Sequence, residues 1–142
     1  MSSTDLADRL VKRHLRLGWW ALGVYLLLGM LLEAFHATKS GLYLDVGNET
    51  RRLLFRLAHA HGTLLAMVNI LYALTIRAMA SVASPLASGS LLAALLLMPG
   101  GFFLGGVWAR GGDPGLGTVL APAGALALVL GVFAIAKAVG KE

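Results

Sequence analysis

Residues 17–35 read LGWWALGVYLLLGMLLEAF, 19 positions with a single charge, Glu33, close to the end. As a helix rising 1.5 Å per residue this stretch reaches about 28 Å, the thickness of one hydrocarbon core. Three more apolar runs follow, at 53–76, 87–108 and 117–138, so nearly the whole chain of 142 residues is committed to spans. The composition agrees: 58% of residues are hydrophobic and 13% charged, about half the charge of an ordinary soluble domain. The pattern predicts an all-α integral membrane protein, an antiparallel bundle of four transmembrane helices forming a single membrane domain over 1–142.

The residues outside the spans set the expected orientation. Arg9, Lys12, Arg13 and Arg16 precede the first span, and a full-length span follows them, so the N-terminal stretch reads as an amphipathic cytoplasmic lead-in rather than a cleaved signal. Arg77, Lys137 and Lys141 fall on the same side of a four-span chain, giving 7 Lys/Arg there against 5 elsewhere. That bias places both termini in the cytoplasm, for which a bacterial inner membrane is the expected setting. The net charge of +5 is scattered between apolar runs, not gathered on one face, which argues against nucleic acid as a partner. With no cysteine, disulfides, thiolate metal ligands and Cys nucleophiles are excluded. His14, among the basic residues, reads most simply as an interfacial side chain. Asn48 suits the N-cap of the second helix.

Small residues mark packing seams. Gly117, Gly124 and Gly131 recur every seven residues, with Ala121 and Ala138 in the same stripe, and Gly101 and Gly105 are spaced as Gly-x-x-x-Gly beside Pro99. Pro99 is expected to kink the third helix. Such seams let backbones approach closely, either within the chain or between the subunits of a homo-oligomer.

Ionisable and amide groups inside spans are costly and mark a site by default. Glu33 and Arg56 fall at similar depth on neighbouring helices and are expected to form an ion pair. His59 and His61 are two residues apart, so on a helix they point in nearly opposite directions and cannot share one small metal ion. His59 shares a face with Gly62, Ala66, Asn69 and Ala73, a small-residue face with room for a flat ligand; His61 shares one with Leu64, Val68 and Tyr72. A zinc site would need Glu33, His36, His59 and His61 to converge. A haem iron needs one protein nitrogen and a slot for the macrocycle, which an isolated histidine beside small residues suits better.

The segment LAHAHG at 57–62, opening a second membrane helix after a polar loop, together with LAPAG at 120–124 opening a fourth, resembles the small four-helix membrane isomerases, styrene oxide isomerase and hydroxylaminobenzene mutase. The likeness covers the four-span layout, with matching residues confined to those two stretches. In place of the family's Asn-Gly pair six residues beyond the histidine, this chain has Leu65-Ala66 after His59 and Met67-Val68 after His61.

The resemblance implies haem b, held between the subunits of a trimer by His59 or His61 as axial and metal ligand, with Gly62 and Ala66 beside the ring. It implies an intramolecular isomerase in which the iron acts as a Lewis acid on a small apolar epoxide or arylhydroxylamine arriving from the bilayer. Tyr25, Asn69 and Tyr72 are then the expected catalytic residues, orienting the substrate. A membrane haem protein without enzymatic activity, or a purely structural bundle, is the alternative. A proton path through Glu33, His36 and His59 is a weaker third, because the inner half of each span is nearly unbroken hydrocarbon.

Overall fold

The computed structural model describes residues 3–140; Lys141, counted above in the charge bias, lies outside them. Four helices are long and apolar enough to cross a membrane: α1 (Ser3–Ala37), α2 (Glu49–Ala78), α3 (Pro85–Val107) and α4 (Leu120–Val139), with no strand among the described residues. Short 3₁₀ turns precede α2, α3 and α4.

Helix ends follow local chemistry. The side chain of Asn48 caps α2 by accepting from the Arg51 amide at 3.4 Å, and its own amide donates to the Ala109 carbonyl at 2.9 Å. Asn48 therefore ties the start of α2 to the loop after α3. Ser84 caps α3 through Ala87 N–H, with Pro85 in the first helical turn, where its missing N–H is harmless.

The lead-in and the first span form one continuous helix of 35 residues. The lead-in does not float at an interface. Ala7, Leu10 and Val11 are buried against Tyr72 and Ile76 of α2, Val82 of the connecting turn, and Ala87 and Leu91 of α3. A second apolar cluster unites Leu65 and Ala66 with Ala94, Leu95, Met98 and Ala121. Along α1, Gly29 meets His59, Tyr25 meets Gly62, and Gly18 meets Ala66 and Ile70, so partners descend α2 as positions climb α1. Gly101, Met98 and Leu91 of α3 likewise meet Ala121, Gly124 and Gly131 of α4. The seven-residue glycine seam is thus spent inside the chain: a Cβ at Gly124 would stand 2.5 Å from the Met98 amide nitrogen.

Pro99 does not end α3, which stays helical through Val107. Proline has no N–H to give the carbonyl four residues before it, Leu95. That carbonyl instead accepts from the Tyr25 hydroxyl at 3.3 Å, an instance of a neighbouring helix re-satisfying backbone freed by proline.

Candidate functional site

His59 sits on α2 against α1. Its ring lies on Gly29, where a Cβ would come within 2.5 Å of Cε1, so only glycine leaves the imidazole this position. Nδ1–H donates to the Tyr25 carbonyl at 2.8 Å, which fixes the tautomer and leaves Nε2 as the lone-pair nitrogen. No described residue bonds to Nε2. An imidazole held through one nitrogen by a backbone carbonyl, with the other free, has the arrangement that metal-binding histidines adopt. Tyr25 is in turn held by its hydroxyl on Leu95 and by its ring over Gly62.

His59 lines a recess of about 830 Å³ that opens sideways between α1 and α2, with Leu26, Met30 and Leu57 among its apolar walls. Glu33, Tyr43 and Arg56 line one end of it and also border an adjoining polar mouth of about 420 Å³ with His36 and Arg52. The volume is in the range of small-molecule and cofactor sites, and the mix of apolar wall and few polar groups is typical of them.

The expected Glu33–Arg56 ion pair is not formed. Both side chains border the mouth, but Leu32, 5% exposed, takes the inward position beside Glu33, and the buried Tyr43 ring packs on Phe35 and His36. Arg52 pairs locally with Glu49 at 3.5 Å. Arg56 has no anionic partner among the described residues.

The remaining candidates separate. His61 points away from His59, donates Nδ1–H to the Leu57 carbonyl of its own helix at 2.9 Å, and packs on Phe102 with ring centroids 4.9 Å apart. The face of Gly62 and Ala66, read as a slot for a flat ligand, is filled: Tyr25 covers Gly62, and Ala66 is fully buried beside Gly18. The open space next to His59 lies toward Gly29 and Ala60 instead. Among the described residues no three His, Asp or Glu side chains are grouped to hold a metal ion.

Asn69 and Tyr72 belong to a second polar cluster, well away from the recess, with His14 and with Ser88, which carried no signal in the sequence. His14 is fully buried, not interfacial. Its Nδ1–H donates to Asn69 Oδ1 at 2.7 Å, and its Nε2 accepts from the Ser88 hydroxyl at 2.8 Å, while Asn69 Nδ2 donates to Leu65 O at 2.8 Å. The Tyr72 ring meets His14 edge-on at 4.9 Å, and its hydroxyl accepts from Ser84 N–H at 3.1 Å and donates toward the Val82 and Ser84 carbonyls. Ser, His and Asn in this order match the logic of an activated nucleophile. Ser88 is only 1% exposed and borders none of the recesses described, so the cluster's evident work is to pin the lead-in to α2 and α3. The signal for His14 was present in the sequence: positions 7, 10, 11, 14 and 18 fall on one helical face, and all five are buried.

Comparison with protein-family models, curated proteins and solved structures finds no match to this chain.

Proposed function

We propose that the four helices form an antiparallel bundle within a membrane, both termini cytoplasmic, and that the recess beside His59 binds haem b in an intramolecular isomerase acting on a small apolar epoxide or arylhydroxylamine. The observation that carries this reading is His59 itself. Its tautomer is set by the Tyr25 carbonyl, its second nitrogen is unpaired, and it borders a laterally open recess. The resemblance of the 57–62 and 120–124 segments to the four-helix isomerases supports it.

Within this reading each residue has a task. The Tyr25 carbonyl holds Nδ1–H and so keeps the imidazole aimed; Gly29 supplies the space. Leu26, Met30 and Leu57 keep water from the recess and admit apolar molecules from the lipid side. Bound haem would supply Lewis acidity toward the substrate oxygen. Of the polar groups expected to orient substrate, the Tyr25 hydroxyl is spent on Leu95, and Asn69 and Tyr72 are spent in the inner cluster; Glu33, Tyr43 and Arg56 are the ones at the recess. A trimer or other homo-oligomer would bring a second copy against its open side. That Asn69 and Tyr72 are spent elsewhere favours, as a second reading, haem binding without isomerisation.

The test is the absorption spectrum of the purified protein with haem, for the wild type, His59→Ala and His61→Ala, followed by an assay of epoxide and arylhydroxylamine conversion. A five-coordinate ferric spectrum lost only in His59→Ala, with turnover, supports the isomerase. The same spectrum without turnover, or a bis-His spectrum, selects the second reading. Absence of any Soret band rejects both.

A further inference from the structure

Arg56 lines both the recess beside His59 and the adjoining polar mouth. Arg56 stands one turn before His59 on α2, four residues into the 53–76 span. Its side chain is exposed at the mouth, and no described carboxylate pairs with it. Arg52, one further turn back, and His36 border the same mouth. The apolar recess and the polar mouth share Glu33, Tyr43 and Arg56 as lining residues. The whole is shaped for an amphiphile: an apolar body inside, an anionic head outside. A guanidinium matches a carboxylate in a planar, bidentate manner that an ammonium does not.

We infer that Arg56 grips a carboxylate of a porphyrin dicarboxylate whose apolar ring occupies the recess beside His59. The inference rests on the haem reading for the identity of the ring but does not require iron. Metal-free protoporphyrin carries the same two propionates and separates the anion grip from axial ligation. A lipid headgroup offers an alternative source of the same anionic chemistry at this depth.

The experiment uses the full chain in nanodiscs of zwitterionic lipid, titrated with metal-free protoporphyrin IX and with its dimethyl ester, followed by porphyrin fluorescence. The expected result is that the diacid binds wild type about tenfold tighter than the diester, the size of one good charge-assisted contact. Arg56→Gln should bring the diacid down to the diester's affinity and leave the diester unchanged, Arg56→Lys should keep part of the preference, and His59→Ala should leave metal-free binding intact. Equal binding of diacid and diester, or indifference to Arg56→Gln, overturns the inference even if haem shows a His59-dependent Soret band, in which case the haem reading stands alone. Arg56-dependent diacid binding without such a band upholds the inference and sinks axial ligation. Displacement of the diacid in phosphatidylglycerol nanodiscs, lost in Arg56→Gln, would make a lipid headgroup the occupant and overturn the porphyrin assignment.

Discussion

Replacing His14 with alanine tests whether the lead-in is part of the folded core. The substitution removes two interhelical hydrogen bonds, at 2.7 and 2.8 Å, each worth about 0.6 kcal/mol and at most about 1.7 kcal/mol between membrane helices. It also strands Asn69 Oδ1 and Ser88 Oγ, both in fully buried surroundings, and opens a void beneath the edge of Tyr72. At the average value the two bonds contribute about 1.2 kcal/mol, and the two stranded groups and the void add about as much again, so the total loss should be about 2–3 kcal/mol. The assay is reversible unfolding in mixed micelles by a denaturing detergent. A cycle of His14→Ala and Ser88→Ala should give a coupling of about 0.6–1.7 kcal/mol. Hydrogen exchange over residues 7–14 should quicken in the variant. A cost below about 0.5 kcal/mol with no coupling would refute the docked lead-in and restore the interfacial reading of residues 3–16.

Gly29→Ala should push the His59 ring from its position and weaken haem binding about 10–100-fold, the usual cost of disturbing what orients a ligand, with little change in unfolding. Gly124→Ala should cost about 1–3 kcal/mol, because the new methyl meets Met98 backbone. Gly100→Ala, with open space at its Cβ, serves as the control and should be neutral or stabilising by up to about 1 kcal/mol. Asn48→Ala removes both a helix cap and the bond to Ala109 and should lower stability by about 1–2 kcal/mol, read in the same unfolding assay.

The four long apolar helices were legible because hydropathy over some twenty residues is a coarse, additive signal. Helix ends were less so: α1 runs fourteen residues upstream of the apolar stretch, because Ala7, Leu10 and Val11 make an inward stripe that its charged neighbours dilute in any average. The same dilution hid His14. The glycine seam of α4 was visible as a period, but a period cannot say which helix fills it; α3 of the same chain does. Depth was also readable, and Glu33 and Arg56 do reach one mouth. Azimuth was not, since one helical position of rotation gives Leu32 the place a paired Glu33 would need. Small residues on the His59 face did signal close approach, yet the occupant there is Tyr25, drawn across by a carbonyl that Pro99 sets free.

That freed carbonyl bears on how the chain is assembled. Because α1 and α2 precede α3 in the chain, the Tyr25 hydroxyl is already made when α3, whose Leu95 carbonyl lacks an N–H at residue 99, follows. Proline, usually regarded as a break in a helix, here leaves a carbonyl through which the second half of the molecule is bonded to the first.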